Sequence, residues 1–73
     1  MSKYWYYKGW NLYKWGYSIG FKRGDRYYSP SSFLSMATED WYESGKSSYS
    51  LYWYKKGFWD CSKTYGLNTY WRY

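Results

Sequence analysis

Histidine and valine are absent from this 73-residue chain, and cysteine, proline and isoleucine occur once each. Each gap closes off a class of function. Without histidine the usual general base near neutral pH is missing, and so is the partner that would activate Cys61 as a nucleophile. A lone cysteine closes no intrachain disulfide, so Cys61 reads as a small buried hydrophobe. The same shortage removes the clustered ligands that a metal ion needs. Glu39 and Glu43 share a helical face, but an exposed helix offers no cleft for paired-carboxylate hydrolysis. The chain is therefore read as non-enzymatic, with no cofactor.

Long apolar runs are missing as well. No stretch approaches the roughly 20 apolar residues of a membrane helix, and none has the apolar centre of a secretory leader, so a cytoplasmic setting is expected. Aliphatic side chains amount to Ile19, Leu12, Leu34, Leu51 and Leu67, apart from alanine and methionine. A chain of this length is expected to form one compact domain over residues 1–73, of a size that is marginally stable without reinforcement.

What is abundant is aromatic. Seven Trp, 14 Tyr and three Phe make up a third of the residues. They must supply the core, yet each tyrosine carries a hydroxyl that resists deep burial without a partner, so a surplus is expected at the surface. The net charge is +6 and the sequence pI about 9.4. It is unevenly spread: residues 1–29 and 46–73 are basic, whereas residues 30–45 carry only Glu39, Asp40 and Glu43. A basic surface favours anionic partners.

Seven glycines punctuate short runs of Tyr, Trp and Phe, a pattern of strands joined by tight turns. Strands are expected near 3–8, 12–22, 26–29, 48–55, 58–62 and 67–72, with Lys22-Arg23-Gly24-Asp25 as the clearest hairpin turn. The Arg23-Gly24-Asp25 tripeptide needs no reading beyond that turn. One helix is expected at about 30–44, capped by Ser29, begun by Pro30, ended by Gly45, and carrying Phe33, Leu34, Ala37 and Trp41 on its buried stripe. The fold class is thus α+β: a small antiparallel sheet of five or six strands with one helix inserted between two strand groups and packed on one face.

The chain also repeats itself. Tyr4-Trp5-Tyr6-Tyr7-Lys8-Gly9-Trp10 and Tyr52-Trp53-Tyr54-Lys55-Lys56-Gly57-Phe58 agree in five of seven positions at an offset of 48. On strands, alternate residues share a face, which would line up Tyr4, Tyr6, Lys8 and Trp10 with Tyr52, Tyr54, Lys56 and Phe58 on an open surface. Trp5, Leu51 and Trp53 would then point into the core. Rings alternating with ammonium groups suit single-stranded nucleic acid or RNA, with Lys14, Lys22, Arg23 and Arg26 as further phosphate contacts. The alternative is a small inhibitor or adaptor that binds a partner protein through an acidic surface, since Tyr, Trp and Arg dominate interface hot spots. A cationic membrane-active peptide is disfavoured because no basic amphipathic helix is expected. A homodimer through a Tyr-rich edge stays open.

Overall fold

A computed structural model describes residues 2–64. The elements run α1 (Lys3–Ser18), β1 (Lys22–Arg23), β2 (Arg26–Tyr27), α2 (Pro30–Thr38) and α3 (Ser48–Thr64). The expected sheet of five or six strands is overturned. The stretches near 3–8 and 12–22 belong mostly to α1, and those near 48–55 and 58–62 to α3. Among the described residues only the two-stranded hairpin is extended pairing. The last expected strand, near 67–72, lies outside the described residues.

Local signals for both long helices are present at their starts. The Ser2 hydroxyl accepts from the Trp5 N–H at 3.4 Å, and the Ser47 hydroxyl accepts from the Ser50 N–H at 3.2 Å. Serine at such a position satisfies a donor that the first helical turn leaves free. Trp5, Gly9, Tyr13 and Gly16 then recur at the three- and four-residue spacing of one helical face, and the last three are buried. The strand preference of Tyr and Trp reflects packing on a pleated surface more than backbone preference, so a better packing partner overrides it.

That partner is the second copy of the repeat. The ring of Trp5 meets Tyr54 and that of Tyr6 meets Trp53 near the helix starts, and Tyr13 meets Phe58 further along. The two helices therefore lie side by side in the same direction. A Cβ added at Gly9 would collide with the Tyr54 carbonyl oxygen and stand 3.1 Å from the Phe58 nitrogen. At Gly57 it would collide with the Tyr6 carbonyl oxygen and stand 3.1 Å from the Trp10 nitrogen. These contacts exchange under the 48-residue offset, so the repeat is realised as a pseudo-two-fold helix pair.

Between the pair, the chain turns and comes back. At the hairpin Lys22 pairs with Tyr27 and Arg23 with Arg26. Gly24 takes the first position of the two-residue loop at φ 66°, as the expected Arg23-Gly24-Asp25 turn requires. Helix α2 begins where expected: Ser29 caps it by accepting from the Ser32 N–H at 3.2 Å, and Pro30 occupies its first turn. It ends at Thr38, earlier than the expected residue 44, and a separate turn closes at Gly45 with φ 81°. Phe33 packs on Trp15 and Phe21 at the far end of α1, while Trp41 packs on Trp5 and Tyr54 at the near end. Thus α2 runs back along one side of the pair and delivers the chain to the start of α3.

The core is Tyr13, Phe21, Phe33, Leu34, Phe58 and Cys61, all buried. Phe33, Leu34 and Trp41 are buried as expected. The Trp41 indole N–H donates to the Ser47 carbonyl at 3.0 Å, which ties the turn after α2 to the start of α3. Phe21 holds a positive φ of 54°, uncommon for a residue with a Cβ, and its ring is fully buried against Tyr13 and Phe33.

Alanine is the better helix former by about 1 kcal/mol, yet at Gly9 or Gly57 it must push two backbones apart. Overpacking costs about 1–3 kcal/mol or more, so packing decides the sign. Gly9→Ala and Gly57→Ala are each expected to destabilise the fold by at least about 2 kcal/mol in urea unfolding. A gain in stability in either variant would refute the close helix contact.

Candidate functional site

On a helix, residues two apart differ by about 200° in direction, so the rows expected on one sheet face are dispersed. Phe58 is fully buried, and Tyr54 is turned toward the turn that follows α2, its ring 4.9 Å from Trp41, with burial pushing its phenol pKa up. Neither belongs to an open surface. Tyr4 is exposed with the Lys8 ammonium 5.2 Å over its ring. Lys22, Arg23 and Arg26 are exposed on the hairpin, at the end of α1 away from Trp41. Lys14, Tyr52 and Lys56 are exposed on α1 and α3, and Trp10 and Tyr6 are half-buried between them.

Several of these residues meet on the side of the α1 and α3 pair away from Trp41. Tyr6 is the centre. Its hydroxyl donates to Asp60 Oδ2 at 2.6 Å, and its ring contacts Tyr7, Trp10 and Trp53. Trp53, assigned by alternation to the core beneath a helix, is half-buried here, with Tyr52 at 5.0 Å and Tyr49 at 6.5 Å. Its indole nitrogen is buried and has no acceptor among the described residues. Around this aromatic seam Lys3, Tyr7 and Lys14 recur along α1, and Tyr49, Tyr52, Lys56 and Lys63 along α3, all exposed. A shallow depression of about 270 Å³ on α3 is lined by Tyr52, Lys55, Lys56, Trp59, Asp60 and Lys63.

The electrostatics of the face are one-sided. Asp60 is the only carboxylate in either long helix. It is already engaged, by Tyr6 and by the Lys56 ammonium at 3.7 Å. Glu39, Asp40 and Glu43 are exposed in and beside the turn that follows α2, on the other side of the pair. Among the described residues no helix is long and apolar enough to cross a membrane.

No family model, curated protein or solved structure matches the chain. Function is therefore read from the face itself. The hydrogen bond to Asp60 pushes the Tyr6 phenol up to about 12, which extends its proton-donating form into the alkaline range. Burial pushes the Cys61 thiol up to about 11, against a smaller opposing pull from Lys14. Neither group is an activated nucleophile, and what the face offers is rings and ammonium groups.

Alternation missed Tyr7, Tyr49, Trp53, Trp59 and Lys63. The signal that finds them is the four-residue spacing of Lys3 with Tyr7, Tyr49 with Trp53 and Trp59 with Lys63, which is helical.

A phenol whose folded pKa is raised stabilises the fold fully below its unfolded value near 10, and that contribution is lost as pH rises through about 12. Thermal unfolding between pH 9 and 12 should therefore show a steeper alkaline loss of Tm in the unaltered chain than in Tyr6→Phe. Parallel curves would mean that the Tyr6 to Asp60 bond contributes nothing to stability.

Proposed function

We propose that the chain is a non-catalytic binding module that takes single-stranded nucleic acid across the face of α1 and α3 opposite α2. The carrying observation is a single face on which exposed tyrosines and lysines alternate around a half-buried aromatic seam, and whose one carboxylate among the described residues, Asp60, is already paired within the chain. Bases stack on aromatic rings at about 1–3 kcal/mol each, in any sequence, while lysines meet the phosphates. Lys3, Lys14, Lys56 and Lys63 border the seam from both helices, so a strand lying along it meets charge on both sides. Lys22, Arg23 and Arg26 extend the basic surface past the end of α1.

Helical geometry also gives α1 and α3 the basic, aromatic character that an interfacial membrane helix would have. The near absence of aliphatic side chains and the many tyrosine hydroxyls favour contact with bases and phosphates over insertion among acyl chains.

Fluorescence anisotropy with a labelled 20-nucleotide oligothymidylate should give binding that weakens steeply with salt. Four or five phosphate contacts correspond to a log–log slope of about −3, roughly a fifty-fold loss of affinity between 50 and 200 mM salt. The double variant Lys14→Gln with Lys63→Gln should reduce that slope by about 1.4. No oligonucleotide binding at low salt, or binding only to phosphatidylserine vesicles or to an acidic protein, would overturn the proposal.

A further inference from the structure

The two copies of the repeat carry the same tyrosine and lysine four residues apart, yet the lysine goes to different places. In α1 the Lys8 ammonium covers the Tyr4 ring at 5.2 Å. In α3 its equivalent, Lys56, is drawn to the Asp60 carboxylate at 3.7 Å. Position 60 makes the difference, because α1 has Leu12 at the matching place and a leucine cannot hold an ammonium. Asp60 is in turn fixed from α1 by the Tyr6 hydroxyl at 2.6 Å. The Tyr52 ring, 57% exposed, is left uncovered: no ammonium among the described residues lies over it.

The uncovered ring is also held in place. Tyr52 stands edge-on to Trp53 at 5.0 Å and 84°, and Trp59 stands edge-on to Phe58 at 4.9 Å and 85°. Phe58 is a core residue, so Trp59 is braced against the interior of the fold. A ring ordered before its ligand arrives loses less entropy on binding. Lys55, Lys56 and Lys63 share the same depression as Tyr52 and Trp59. A lone carboxylate among three lysines opposes phosphate binding, so electrostatic attraction does not account for Asp60.

We propose that the α3 depression is a nucleotide subsite in which a base stacks on Tyr52 and the adjoining phosphate meets Lys55 and Lys63, with Asp60 as a positioning residue that keeps Lys56 off the ring. The subsite rests on the nucleic-acid reading given above. It makes the two repeats unequal: α3 carries an open stacking platform and α1 a closed one. Trp59 offers a second ring along the same helix face, one heptad on, for the neighbouring base.

The test uses the full chain and a six-nucleotide strand containing 2-aminopurine, whose fluorescence falls when it stacks. The unaltered chain should bind and quench. Tyr52→Ala should weaken binding at least about fivefold and abolish most of the quench, whereas Tyr4→Ala should change neither. Asp60→Leu, which installs the α1 residue, should hold or raise affinity at low salt because a negative charge is gone, while at least halving the quench because Lys56 is released onto Tyr52. A quench that falls while affinity holds or rises is not produced by simple loss of structure, and circular dichroism of each variant checks the fold. Should Asp60→Leu not fold, the Tyr4 and Tyr52 variants decide the matter. Equal effects of those two, or a full quench in folded Asp60→Leu, would overturn the subsite alone. Failure of the unaltered chain to bind any oligonucleotide would overturn it together with the nucleic-acid reading.

Discussion

Two helix backbones touch at Gly9 and Gly57, and that contact sets the spacing of everything packed around it. Each glycine lies against a carbonyl of the other helix, close enough that any Cβ would collide. Helix backbones this close commonly gain Cα–H···O contacts, each a weak attraction of about 0.5–1 kcal/mol. The larger effect is steric. Close backbones bring Trp5 onto Tyr54 and Tyr6 onto Trp53 in matching edge-to-face pairs, at 6.2 Å and 6.4 Å. Removing the glycines would separate the rings that replace an aliphatic core.

Aromatic packing of this kind solves the shortage of Val, Ile and Leu in a particular way. Edge-to-face contacts run through the buried core, from Tyr13 to Phe21 and Phe58 and from Phe21 to Phe33. Rings packed edge-on gain about 0.5–1.5 kcal/mol beyond their area, and they hold their neighbours at fixed angles. The same rule extends outward, where Tyr52 and Tyr4 stand edge-on to half-buried tryptophans. Surface tyrosines are thus oriented by the interior, which is what a stacking surface needs.

Much of the chain was legible locally. The Lys22-Arg23-Gly24-Asp25 turn, the start of α2 at Ser29-Pro30, and the burial of Phe33, Leu34, Trp41 and Cys61 all follow from short-range chemistry. The strands read into residues 3–22 and 48–62 did not form. Tyr and Trp favour strands by composition, and a glycine inside such a run looks like a turn. Gly9, Gly16 and Gly57 sit inside helices because each removes a side chain where another element must approach, and no window of a few residues contains that information. Phe58 and Tyr54 were misplaced for the same reason, since a two-residue period puts on one surface what a helix separates.

By itself the sequence determined the materials: a basic, aromatic chain with no histidine, one cysteine, few aliphatic side chains, and carboxylates gathered mainly in its middle. Those are properties of composition and survive any fold. Only the tertiary structure decided which rings face outward and that Asp60 reaches Tyr6 across 54 residues. The physical reason is that helical period and the approach of a second helix assign each side chain its direction, and both depend on residues far apart in the chain.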